Sequence, residues 1–246
     1  MVITEEGDCL AWGWGKYGQT AVEENLSDVI SVDGGYSHSL AVDQAGAVYA
    51  WGRNNYSQTT IPEIDAPAVQ VASGYTHSLV LTEDGNVVGF GRDNKGQSTV
   101  PEGLSNIKAI AAGREHNLAL TESGDVIGWG RNDYGQCSVP EGLTDVILIS
   151  AGYFHSLALK EDGTVVAWGD STYGQATLPE GLEGVTFIDA GGYHNLALKD
   201  DGSVVAWGRN NYGQAEVPDG LNPVSYTHLR AHETKANLVC RRLLEK

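Results

Sequence analysis

Trp12, Trp51, Phe90, Trp129, Trp168 and Trp207 are each followed by glycine and stand 39 residues apart, with no insertion between any two. The same step carries Gln19, Gln58, Gln97, Gln136, Gln175 and Gln214, and also His38, His77, His116, His155 and His194. A fixed period of this size confines the chain to a solenoid, a propeller or an array of small units, and the local pattern decides between them.

One unit reads HSLALKEDGTVVAWGDSTYGQATLPEGLEGVTFIDAG from His155. His-Ser-Leu-Ala-Leu alternates with period two, Asp162-Gly163 suits a tight hairpin turn, and Thr164 to Trp168 is a β-rich return. A Gly-rich polar loop then leads to Ala176-Thr177-Leu178-Pro179, which reads as a short edge strand ended by proline, and 185–190 reads as a further strand. No stretch holds helical periodicity over the ~11 residues that a helix needs. Three or four short antiparallel strands per repeat, each copy with its tryptophan strand, predict an all-β chain of β-propeller blades in which Trp12, Trp51, Trp129, Trp168 and Trp207 occupy equivalent buried positions.

The anchors WGxNxYGQ, VPEGL, IAAGxxHSLAL and EDGxVVAWG resemble the regulator of chromosome condensation (RCC1-like) repeat in its short, gapless bacterial form. They are also similar to the secreted propellers that inhibit β-lactamases. The resemblance covers Ile3 to about Leu221 and implies a seven-bladed propeller; Phe90, Lys95, Ser57 and Glu23 depart from the consensus Trp, Tyr, Gly and Pro. About 5.6 repeats are present, so the ring is expected to be open or strained, with a monomer expected if it were complete. The expected domains are a truncated propeller over 1–223 and a non-native tail over 224–246. Residues 224–234 resemble a translated transposase-type sequencing adapter, and 238–246 resemble a second adapter. A signal peptide would lie upstream of such a fragment, and the resemblance leans towards a secreted or cell-surface bacterial protein.

The net charge is −17, and it becomes −20 without the +3 of the tail, which argues against nucleic acid or an anionic membrane as partner. Three cysteines are no disulfide framework. The repeat places each histidine on a different blade and on the leucine face of its strand, so these side chains read as hydrogen-bonded core residues and no metal is expected. Gly13 to Gly18 match GxGxxG, but the strand-to-helix context is missing and the next copy shows a repeat loop. Cys9 takes the place of a strand valine and reads as a small buried hydrophobe; neither it nor Cys137 has a basic neighbour to make a thiolate. Asn25-Leu26-Ser27 and Asn55-Tyr56-Ser57 fit the glycosylation pattern, which short chance matches also do. No P-loop, HExxH, GxSxG or CxxC pair occurs, and acids such as Glu161-Asp162 recur in the hairpin turns. No constellation breaks the repeat in the way a catalytic site would require, and no cofactor is implied.

Strand direction sorts the loops. The WGxNxYGQ and GYxH loops share one face, the upper, whereas the DG turns and PEGL corners share the lower. Nine of the eleven tyrosines, among them Tyr36, are in the upper loops, together with seven of the ten basic residues outside the tail, Lys16, Arg92 and Lys95 among them; most of the acids gather below. The candidate partner-binding residues are Trp14, Tyr17, Arg53, Tyr56, Tyr75, Arg114, Arg131, Tyr134, Tyr153, Phe154, Tyr173, Tyr193, Arg209 and Tyr212, since Tyr and Arg on rigidly held loops give large contact area for little entropy. The densest group is expected at Tyr134, Tyr153, Phe154 and Tyr173. The alternative for the YGQ tyrosines is a packing role between loops. The leading expectation is a non-catalytic protein-interaction module. A secreted enzyme inhibitor and an exchange factor for a small GTPase are alternatives implied by the resemblance, and polysaccharide binding is a further one.

Overall fold

A computed structural model of the chain describes residues 1–23 and 26–218. A two-stranded fragment, β1 (Val2–Ile3) and β2 (Cys9–Leu10), precedes five three-stranded antiparallel blades. The blades are β3 (Val29–Gly34), β4 (His38–Asp43) and β5 (Val48–Gly52); β6 (Ala68–Ser73), β7 (His77–Thr82) and β8 (Val87–Gly91); β9 (Ile107–Ala112), β10 (His116–Thr121) and β11 (Val126–Gly130); β12 (Val146–Ala151), β13 (His155–Lys160) and β14 (Val165–Gly169); and β15 (Val185–Ala190), β16 (His194–Lys199) and β17 (Val204–Gly208). In each the first strand is innermost, the second central and the third outermost. The fourth strand expected at Ala176 to Pro179 does not form: this segment is a turn and an irregular stretch. Its proline has no N–H to give to a ladder.

The central strands of the first four blades are buried on both faces, because each lies between two neighbours, whereas β16 of the last blade, with one neighbouring blade among the described residues, is only half-buried at several positions. Their Leu-Ala alternation is therefore large against small. Leu118 and Leu120 of the third blade pack with Ile149, Ala158 and Trp168 of the fourth. Leu79 and Leu81 of the second meet Ile110, Ala119 and Trp129 of the third in the same way. The second blade shows how tightly this volume is set. Its outer strand carries Phe90, smaller than tryptophan, and its central strand carries Val80 where the others have alanine; both lie in one cluster with Leu40 and Val42. The added methyl groups of Val80 fill part of the space that the missing indole leaves.

Polar groups complete the same layer. The Nε2 of His38, His77, His116 and His155 meets Ser78, Asn117, Ser156 and Asn195 of the following blade at 2.7–3.1 Å. Burial holds these imidazoles neutral, with His38 and His77 lowered to about 4 and His116 to about 3. Gly152 lets the chain pass against the His155 ring, where a Cβ would overlap the imidazole. Each partner in turn holds a loop: Ser78 Oγ donates to the Gln58 carbonyl at 2.7 Å and Ser156 Oγ to that of Gln136 at 2.9 Å. The indoles of Trp51, Trp168 and Trp207 donate to the same kind of carbonyl, on Gln19, Gln136 and Gln175.

Trp12 corrects the expectation of five equivalent tryptophans. It is 58% exposed, whereas Trp51, Trp129, Trp168 and Trp207 are 7–8% exposed. An indole in this position is buried by the loop of the preceding repeat, and the sequence holds no such loop before Trp12. Cys9 is buried, in the cluster that joins the β1–β2 fragment to the first blade. The tail, Leu221, Asp219 and Asn25 lie outside the described residues.

Candidate functional site: the aromatic loop face

The upper loops are held from within. Gln58, Gln97, Gln136 and Gln175 are buried, and each Oε1 accepts the backbone N–H two residues earlier, on Tyr56, Lys95, Tyr134 and Tyr173, at 2.7–2.9 Å. This fixes the YGQ turn and lifts the tyrosine ring outward. The arginine that follows the next Trp-Gly, or Phe90-Gly91 in the second blade, then lies over that ring: Arg53 over Tyr17 at 4.9 Å, Arg92 over Tyr56 at 5.0 Å and Arg209 over Tyr173 at 5.1 Å from the centroid. Asp170 replaces the arginine due above Tyr134, and Arg131 of the tyrosine's own loop approaches instead, at 5.8 Å. Tyr56, Tyr134 and Tyr173 remain more than two-fifths exposed despite this cover, and Tyr212, with only Arg209 beside it among the described residues, is 85% exposed. The ring both seals its loop and presents a face to solvent.

Nearer the axis, two positions before each histidine, the repeat places Tyr36, Tyr75, Arg114, Tyr153 and Gly192 around one mouth. Tyr36 and Tyr75 stack at 4.1 Å. Arg114 lies 4.8 Å from Tyr75, 5.3 Å from Phe154 and 5.7 Å from Tyr153. Tyr75 and Tyr153 meet edge to face at 6.4 Å although they belong to the second and fourth blades. Gly192 makes room for this: a Cβ there would sit 3.1 Å from the Tyr153 ring. Outward from the mouth, Tyr153 touches Phe154 and Tyr193, Phe154 touches Tyr134, and Tyr193 touches Tyr173. On the other side Trp14 touches Tyr36 and Tyr17. A continuous aromatic track thus runs from Tyr17 to Tyr173.

The expected cluster of Tyr134, Tyr153, Phe154 and Tyr173 needs one correction, since Tyr173 reaches the others through Tyr193. Tyr56 stands off the track, paired with Arg92. Tyr36 and Arg92 were placed on this face by the sequence but not among the candidates; alignment of Tyr36 with Tyr75 and Tyr153 in the repeat carries the signal. Arg131 is the arginine of the face that is neutralised, by Glu115 at 2.8 Å and Asp133 at 2.7 Å.

Below the mouth the five inner strands line an axial cavity of about 430 Å³. Its polar side chains complete the exposed edges of neighbouring strands. Ser31 Oγ accepts the N–H of Val71, Gln70 Oε1 that of Ile110, Asp33 Oδ2 that of Ser73 and Ser150 Oγ that of Ala190. Burial at this wall, reinforced by Asp189, pushes Asp33 up to about 6. Cys137 is likewise pushed up to about 12 by burial, and its Sγ donates to the Arg131 carbonyl, which leaves no thiolate at neutral pH. Among the described residues no three His, Cys, Asp or Glu side chains are grouped to hold a metal ion. No helix among them is long and apolar enough to cross a membrane.

The repeat geometry has a match in sequence: residues 29–58, 68–97, 107–136, 146–175 and 185–214 each fit the regulator of chromosome condensation (RCC1) repeat. The chain belongs to this family. Among curated proteins none matches it in sequence. Solved structures of the same fold include Prp20p from Saccharomyces cerevisiae, with a TM-score of 0.72 and 23% identity over 95% of this chain and 73% of that one. Human WBSCR16 gives 0.63 and 24% over 73% and 61%, and the ectodomain of the Physcomitrella patens receptor kinase CR4 gives 0.65 and 22% over 76% and 53%. This RCC1-repeat chain therefore spans less than two thirds of the length of two of these three structures.

Proposed function

We propose that this chain is a non-catalytic protein-interaction module that binds its partner through the upper face, centred on Tyr75, Arg114, Tyr153, Phe154 and Tyr193. The observation that carries the reading is the aromatic track itself: rings in mutual contact, covered by arginines and held on loops whose turns are locked by buried glutamines. Such a surface meets a partner with little conformational entropy left to lose. The absence of a catalytic constellation in the sequence supports the non-enzymatic part. Prp20p offers a precedent for the fold, as a protein with binding properties towards Gsp1p and histones, although at 23% identity it does not supply the partner. Residues 1–223 form the functional unit in this reading, and 224–246 contribute nothing to it.

The test begins with a partner obtained by pull-down and titrated against variants. Tyr153→Ala and Tyr173→Ala are expected to weaken binding more than tenfold, as truncation at a hot spot does. Glu161→Ala combined with Asp200→Ala, on the lower face, is expected to leave it unchanged. The reverse ranking, with folding intact in every variant, moves the site to the acidic face.

A further inference from the structure

The arginines of the upper face have an unusual electrostatic position. The chain carries 32 acidic against 15 basic side chains, so a cation finds a carboxylate easily. Arg131 does so twice, and Lys160 and Lys199 pair with the turn aspartates Asp162 and Asp201. Arg53, Arg92, Arg114 and Arg209 have no carboxylate within ion-pair distance among the described residues. Each lies instead on tyrosine rings, and the Nε of Arg53, Arg114 and Arg209 is shut off from solvent without a hydrogen-bond partner.

The carboxylates nearest in sequence are engaged elsewhere. Asp93 accepts from Ser98 and Thr99 of its own loop, Asp170 from Thr172 and Gln175, and Glu115 and Asp133 hold Arg131. Four guanidinium groups thus lie against tyrosine rings by cation–π contact, three of them along the aromatic track and Arg92 beside Tyr56 off it, without a counter-charge among the described residues. A guanidinium held in this way keeps donors at its edge for a carboxylate, and its planar fork suits bidentate pairing.

We infer that the upper face receives an acidic peptide segment of a partner protein, whose Asp or Glu carboxylates pair with Arg53, Arg92, Arg114 and Arg209 while its apolar residues rest on the tyrosine track. The inference rests on the upper-face reading and adds the chemistry of the partner. A nucleic acid would offer anions too, but a long polyanion leaving this face would run along a body of net charge −17, which repels it. A short acidic segment has no such extension. The negative lower face also orients an acidic partner towards the arginines during encounter.

The experiment is a selection of random twelve-residue peptides on the full chain, followed by titration of a labelled selected peptide. Enrichment of Asp and Glu is expected, with affinity falling more than tenfold in Arg114→Gln combined with Arg209→Gln, and falling steeply as salt is raised. Arg114→Lys with Arg209→Lys, which keeps the charge but loses the fork, is expected to fall between, and thermal melting of each variant reports folding. Selection of neutral peptides that lose binding in Tyr153→Ala but not in the arginine variants overturns the inference and leaves the upper-face reading standing. Enrichment of Lys and Arg overturns it, and so does a twenty-residue oligothymidylate that binds as tightly as the selected peptide. Failure to enrich any sequence overturns both.

Discussion

The layer between blades and the rim above it are built from the same repeat, yet they treat that repeat in opposite ways. Between blades, histidine recurs without exception at His38, His77, His116, His155 and His194, and its partner is always Ser or Asn where one is described. At the rim, two residues earlier, the same register holds Tyr36, Tyr75, Arg114, Tyr153 and Gly192. A backbone step that never changes thus separates positions that must satisfy a neighbouring blade from positions whose side chains meet one another around the mouth. Uniformity marks packing, and variation on that rigid background marks the surface left to specificity.

Breaking the layer is expected to have the largest effect. Leu118→Ala, at a fully buried site between the third and fourth blades, is expected to cost about 3 kcal/mol in denaturant unfolding, whereas Tyr153→Ala at the rim is expected to cost under ~1 kcal/mol. Equal losses would erase the distinction. Acid probes the same layer without mutation. His38, His77 and His116 titrate near 6.5 when unfolded and are lowered to about 3–4 in the fold, and burial lowers His155 too, so the unfolded chain binds their protons first. Their stabilisation is complete above pH 6.5 and is lost as pH falls towards 4. Asp33, raised to about 6, and Asp189, also raised by burial, act in the opposite sense, but they are two groups against five histidines. The melting temperature is expected to drop by ~10 °C or more between pH 7 and pH 4.5, and a flat profile would show that the imidazoles are not buried as neutral rings.

A finer test uses the one place where the layer itself varies. Phe90→Trp alone is expected to overpack against Val80 and destabilise by about 1–3 kcal/mol. Adding Val80→Ala, which restores the combination of the other blades, is expected to recover most of the loss; additivity of the two changes would refute the volume argument. The smallest effect is expected from the tail: removal of 224–246 is expected to leave melting and binding unchanged within error.

Much of the blade was legible because 39-residue spacing without gaps superposes every copy, so that the hairpin at Asp162-Gly163 or the burial of His155 follows from register alone. Trp12 was not, because burial of that indole is supplied by another repeat and not by its own strand. The fourth strand failed for a related reason: Ala176 to Pro179 has strand-like residues but no ladder partner that its proline could serve. At the rim the identities were readable and the contacts were not. Tyr75 reaches Tyr153 past an intervening blade, a meeting fixed by the width of the axial mouth, which no local pattern encodes.

The hydrogen bonds of the layer all run between adjacent blades at constant sequence offsets, from histidine forward to Ser or Asn, and from these and the indole back to the glutamine carbonyl. A 39-residue cassette inserted or deleted in register leaves every one of these pairings intact. What changes is the circumference of the axial mouth and the number of rim positions arrayed around it. Gene duplication in such a chain is therefore a way of resizing the opening and extending its combination of side chains, while the glue between the pieces stays the same.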